Sequence, residues 1–363
     1  MVERLDDGAS VEGTRHQRVN LRRTLLLAVV VSVAAAACGS AADRPSPRAD
    51  AATACSDDHM LVFGGIDQRG ALQVPRNDGW ILSVAEGTWT PLPPPPAERL
   101  GLTAIWDGER FVLVGAVENR GPKVLEDGSE TRDLRYTYEA AAYDPEAGTW
   151  TALPPAPIDG NGPIGLAADG TGTLIVYPDT RGFPVDNAAI WDGAAWTTIP
   201  APPERPVMVF GLDAGFLAVG LGTVYRLDAA ASVWEPAARL PEGFAAITGP
   251  VRTATGFVIP GAPTLRISVP ELDISEGAPL ELDWVDAVRT DGTTVVAVDT
   301  FNGRLAVTDE DVSQWSYQDI PVRGIRASSV CFVGGRLVVF GGQDQSDPST
   351  LRSTDTLWIE TVP

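Results

Sequence analysis

Residues 328–341 read SSVCFVGGRLVVFG, and Gly342 follows. Two short apolar runs flank a glycine turn, and a second glycine pair ends the unit. Runs of this length bounded by glycine read as two strands joined by a tight turn, since a helix would need a longer, 3.6-periodic pattern. The same unit recurs at 53–63, 103–115, 164–177 and 207–220, with weaker copies at 248–259 and 286–298. No stretch after residue 53 sustains a helical period.

A second element follows most of these hairpins. It is an apolar strand, a polar turn, then a Trp and a Leu/Ile-Pro ending. Its tryptophans are Trp89, Trp150, Trp196, Trp234 and Trp315, with Trp284 assigned to a degenerate fifth copy. Four short strands per unit, repeated seven times, predict an all-β β-propeller of seven four-stranded blades over residues 51–363. One such sheet cannot bury both of its faces, whereas a closed ring of them can.

The motifs resemble the kelch repeat. Leu61-Val62-Phe63-Gly64-Gly65 and Leu337-Val338-Val339-Phe340-Gly341-Gly342 carry its glycine pair. Tyr143-Asp144 followed by Trp150 carries its second half, and Asp144 to Trp150 is also similar to the sialidase Asp-box. Inner units keep one glycine or none (Gly115, Gly220). The resemblance implies a galactose oxidase-like ring in which the repeated Trp packs between sheets. The last unit ends on a third strand at Trp358, so the seventh blade is either completed from the N-terminus or left three-stranded. Residues 42–50, with two prolines, make a poor strand.

The N-terminus has a different character. Arg15, Arg18, Arg22 and Arg23 precede the apolar run 24–37 and then Cys38. This is the n-region and h-region of a secretory signal, too short for a permanent membrane span. Ala35-Ala36-Ala37-Cys38 resembles the bacterial lipobox, with Ala35 where Leu is usual. The expectation is a signal peptide over 1–37, lipid attachment at Cys38, a flexible tether over 38–50, and a protein anchored outside the cytoplasm to the cell membrane.

Composition narrows the function. The 27 basic and 48 acidic residues leave a net charge of −21, which argues against a nucleic-acid partner. Removing residues 1–37 takes away five basic and four acidic residues, so the acidity belongs to the body of the chain. Only His59 remains there, which denies it the two-histidine copper site of galactose oxidase. No cofactor or metal is expected.

Beyond Cys38, the chain has Cys55 and Cys331, in the first strands of the first and last units. A disulfide between them would lock the seam. Aligning the units sets Cys55 opposite Phe332 instead, so the side chains are read as facing opposite ways and the pairing stays open.

Candidate binding residues fall in two groups. Arg99, Arg205 and Arg326 lie just before or within first strands, which the kelch resemblance places at the channel mouth. A ring of arginines there would suit carboxylates or sulfates; pairing with Glu98, Glu204 and backbone carbonyls is the structural alternative. The long second-to-third-strand loops carry Asp67 and Arg69, Glu118 and Arg120, and Asp344 and Arg352, and should cluster on one face. The expected function is a non-catalytic binding or scaffolding module for a protein or glycan of the cell envelope. The alternative is a carbohydrate-active enzyme of the sialidase or sialic-acid epimerase type at the channel mouth.

Overall fold

The computed structural model describes residues 43–362 except 71, 97–102, 125–129, 179–186, 205–207, 214, 229–231, 245 and 347–349. The described residues form strands and turns. Six antiparallel sheets have four strands each, taken in chain order. The first comprises Ala52–Cys55, His59–Phe63, Gly79–Ser83 and Thr88–Pro91, and the sixth runs from Ala287–Thr290 to Ser316–Asp319. A seventh sheet has three strands among the described residues, Ser329–Val333, Arg336–Phe340 and Leu357–Thr361. Residues 43–50 do not add a strand to it.

Period-two alternation sends each strand's side chains to two neighbours. Leu61 and Phe63 pack with Phe111 and Leu113 of the second sheet. Met60 and Val62, one residue out of step, pack with Cys331, Val338 and Phe340 of the seventh. The other core clusters join second to third, third to fourth, fourth to fifth, fifth to sixth and sixth to seventh. The sheets are therefore linked in chain order and the last meets the first. A seven-bladed ring is our reading of that linkage.

The repeated tryptophans pack between the sheets, and most also tie one sheet to the next. Trp150 Nε1 donates to Pro93 O at 2.8 Å, Trp196 to Pro154 O at 2.8 Å and Trp234 to Pro200 O at 3.1 Å. In each case the acceptor follows, or ends, the preceding sheet's fourth strand. Trp315 makes the corresponding bond to Ala278 O. Trp89 packs on Phe340, 4.9 Å between ring centroids, but its buried Nε1 has no acceptor among the described residues. Its preceding sheet is the three-stranded one, which has no fourth strand among the described residues to offer a carbonyl. Trp284 is not a copy of this set: the fifth sheet's fourth strand is Ile274–Gly277, and Trp284 lies beyond it, 42% exposed.

An eighth, five-stranded sheet lies across the seam. It joins Ile325–Arg326, Gln343–Asp344 and Arg352–Ser353 to Ile66–Arg69 and Leu72–Pro75. The chain before the first strand is threaded into this region, which moves the domain boundary. Arg48 and Ala49, expected in the tether, are 1% and 4% exposed. Arg48 N donates to Thr354 O, and Gly342 N donates to Arg48 O. Ala49 and Ile66 exchange both backbone hydrogen bonds. The Arg48 guanidinium bonds Ser46 O, Gly64 O, Asp78 O and Asp78 Oδ2. Such saturation is what lets a guanidinium sit in the interior.

The glycine pairs have their physical reason here. A Cβ on Gly65 would lie 2.7 Å from Ala49 O, and one on Gly341 2.6 Å from Arg48 O. Both glycines also have positive φ, +86° and +67°. The threaded segment can pass only where these two residues lack side chains.

Candidate functional site

Of the three loops expected to gather on one face, two, 66–79 and 343–354, meet at the seam, as paired strands, and the third, 116–136, does not. Arg69 and Arg352 are Cα partners across the accessory sheet, as are Asp344 and Arg352. Ser353 Oγ donates to Ile66 O and accepts from Gln68 N, stitching the two halves together. Beside this sheet lies a cleft of about 570 Å³ bordered by Pro47, Asp67, Arg69, Thr350 and Arg352.

Asp67 is 2% exposed and anchors the cleft floor. Arg69 Nη2 donates to its Oδ2 at 2.7 Å, and Arg76 contacts the same oxygen. Burial alone would raise the Asp67 carboxyl, but the Arg69 hydrogen bond and the Arg76 and Arg69 charges outweigh it and hold it below the usual range. Asp344 is occupied by its own turn, accepting from Ser346 N and Oγ at 2.9 and 2.6 Å. Arg352 is exposed and forms no ion pair among the described residues.

The expected loop 116–136 is a correction. It continues the second sheet's inner strands, Phe111–Val124 and Glu130–Asp144, as a hairpin arm. The register shifts between Val114 and Ala116, where Gly115 takes a φ of +75°. A bulge of this kind bends an arm while leaving it paired. Residues 160–162 brace it: Tyr136 N donates to Asn161 Oδ1, and Tyr138 Oη to Gly162 O. Glu118 and Arg120 face each other at 3.5 Å, while Val117 and Val124 are 48% and 65% exposed.

The channel-mouth arginines fare differently. Arg99 and Arg205, like Cys38, lie outside the described residues. Arg326 is packed between two aromatic rings, with Cζ 4.3 Å from the Trp284 centroid and 4.4 Å from Phe301. This cation–π clamp was not legible because Trp284 and Phe301 are distant in sequence. Asp144 and Asp192 cap their own turns by accepting two backbone N–H bonds each.

Sequence reasoning missed Arg289, in the first strand of the sixth sheet. First strands of neighbouring sheets lie against one another, so they surround the axis of the ring. Arg289 Nε donates to Val330 O and Nη1 to Val288 O, both at 2.8 Å. No carboxylate among the described residues joins it. Burial pushes its guanidinium below the usual arginine range. The signal available in sequence was its odd position in a first strand, Ala287-Val288-Arg289-Thr290.

Cys55 and Cys331 are joined by a disulfide, with Cα atoms 5.8 Å apart. The ring reverses the expectation that their one-residue offset turns them apart. Cys55 must face back to the seventh sheet, and Cys331 must face forward to the first. Those are opposite faces of the repeat, so the offset is what contact requires. Among the described residues, no three His, Cys, Asp or Glu side chains are grouped to hold a metal ion. No described helix is long and apolar enough to cross a membrane.

Antiparallel sheets repeated in this way, with first strands innermost and glycine pairs at the seam, fit a kelch-repeat β-propeller. The sequence comparison agrees, since residues 47–96 match the Kelch motif. That match begins at the threaded segment around Arg48 and ends just past the first sheet. No curated protein matches the chain.

Proposed function

We propose that the chain is a cell-envelope lipoprotein that displays its propeller as a non-catalytic binding or scaffolding module. Its partner is a protein or glycan of the envelope, and its membrane anchor is a lipid on Cys38. The observation that carries the binding reading is the hairpin arm of the second sheet. It is a paired, braced projection that leaves Val117 and Val124 in solvent, and apolar groups held out on a rigid support mark contact surfaces. The accessory sheet adds a second rigid face, with Arg69 and Arg352 at its cleft. The basic and apolar segment before Cys38 supports export, and a Cys55–Cys331 disulfide suits an oxidising compartment.

The test pairs two experiments. Affinity capture from detergent-solubilised envelopes should recover a partner that Val117→Asp loses while unfolding at an unchanged temperature. Capture indifferent to that change would count against the arm. Cys38→Ala should move the protein from membranes to the medium. Turnover of a sialylated or other glycoside by the purified domain would favour the enzyme reading instead.

A further inference from the structure

The first strands of the fifth and sixth sheets border a cavity of about 290 Å³ on the channel side. Its lining includes Met208, Thr248, Val251, Arg252, Arg289 and Thr290, and also Asp286, whose carboxylate accepts from Thr300 N and Oγ1. Arg252 is engaged by Asp213. Among the described residues no acid engages Arg289. A guanidinium has five N–H donors, and its two bonds to Val330 O and Val288 O leave three without a partner among the described residues.

Three other enclosed arginines are paired with acids, whereas Arg326 is held by aromatic rings and Arg336 by the Val84 and Ala85 carbonyls. Arg48 has Asp78, Arg76 has Asp67 and Arg110 has Asp107. Backbone carbonyls orient Arg289 and pin its side chain, but they carry no net charge to offset it. A fixed, partly desolvated cation on a cavity wall is a preorganised anion receptor: its ordering has already been achieved before ligand arrives. We infer that this channel cavity binds a single carboxylate, with Arg289 as its anchor.

The walls limit the ligand further. Met208 and Val251 offer apolar surface, while Thr248 and Thr290 add hydroxyls. The volume lies at the small end for ligand sites. The ligand class is therefore a small monocarboxylate, up to about the size of a sugar acid. The chain's charge of −21 opposes an anion at long range. Screening at physiological salt confines that repulsion to about 8 Å, so contacts inside the cavity decide the outcome. This site is independent of the partner surface on the hairpin arm.

Calorimetric titration of the purified full chain with D-glucuronate tests the inference. Glucuronate should bind, and its methyl ester, of the same ring but without charge, should bind at least tenfold more weakly. Arg289→Gln should reduce glucuronate affinity at least tenfold, and Arg289→Lys by less. The ester comparison uses the unaltered protein, so it decides even if a variant fails to fold. Absence of glucuronate binding, equal binding of the ester, equal binding to a folded Arg289→Gln protein, or sulfate binding as tightly as glucuronate would each overturn it.

Discussion

Cys55 Sγ is bonded to Cys331 Sγ at a sequence separation of 276, from strand positions that differ by one in the repeat. The bond closes the ring at the seam where the first and seventh sheets meet. A crosslink spanning so long a loop restricts the unfolded chain strongly; in the loop-entropy picture it is worth about 5 kcal/mol. Reduction should lower the urea midpoint markedly, and Cys55→Ala with Cys331→Ala should reproduce the effect. Thiol titration of the unfolded protein without reductant should find neither cysteine free. Two reactive thiols there would refute the bond.

The inter-sheet tryptophans offer a graded test. Trp150, Trp196 and Trp234 spend their Nε1 donor on a proline carbonyl at the end of the preceding sheet, whereas Trp89 has no acceptor among the described residues. Phe replacement keeps much of the ring packing and deletes the donor. The first three variants should each lose about 1 kcal/mol more than Trp89→Phe, the net worth of one hydrogen bond. Chemical denaturation of the four variants measures it, and equal losses would show that packing alone sets the cost.

Arg48 holds the threaded segment. Its replacement by Met strands the Gly64 and Asp78 carbonyls and the Asp78 carboxylate, at a cost of about 3 kcal/mol. Arg48→Lys should rescue little, because one ammonium cannot reproduce the fork. The unfolding midpoint of each variant provides the measure.

Acid should weaken the seam. Burial pulls the Asp67 and Asp78 carboxyls upward, but Arg69 and Arg76 in one case and Arg48 and Trp80 in the other pull them below the ordinary range. A depressed carboxylate contributes stability above its unfolded pKa of about 3.9, and that contribution is lost as pH falls through the folded value. Asp50, raised by burial, has the opposite sign: it costs stability above the same pH and recovers it on acidification. Urea midpoints should therefore fall from pH 5 to pH 2, and Asp67→Asn or Asp78→Asn should flatten that decline. An unaltered slope in both variants would contradict it.

Close approach at the glycine pairs can be separated from backbone strain. Gly70 has a φ of +63° with nothing within 4 Å of a Cβ, so Gly70→Ala should cost only the left-handed conformation, about 1 kcal/mol. Gly65→Ala and Gly341→Ala add a collision with Ala49 O and Arg48 O. Both should unfold at distinctly lower denaturant than Gly70→Ala.

Much of the architecture was present in local pattern. Apolar runs five residues long, glycine and aspartate turns, and a Trp at a fixed offset decide strand, turn and repeat through near-neighbour sterics and period-two burial. The glycine pairs at Gly64-Gly65 and Gly341-Gly342 marked the two units that meet at the seam, although their reason lies in Arg48 and Ala49. The segment 116–136 does not read as strand because its charged residues, Gly121 and Pro122 carry no period-two pattern, and only cross-strand pairing with its partner holds it extended.

The site was far less legible. Sequence alone determined that residues 53–341 carry seven hairpins, that the body is acidic, and that a single histidine remains in it. Tertiary structure decided which arginines are spent. Arg326 lies between Trp284 and Phe301, Arg48 is consumed by the seam, and Arg289 is left without an acid among the described residues. Charge compensation depends on side chains brought together from distant sheets, and no local spacing encodes that closure of the ring.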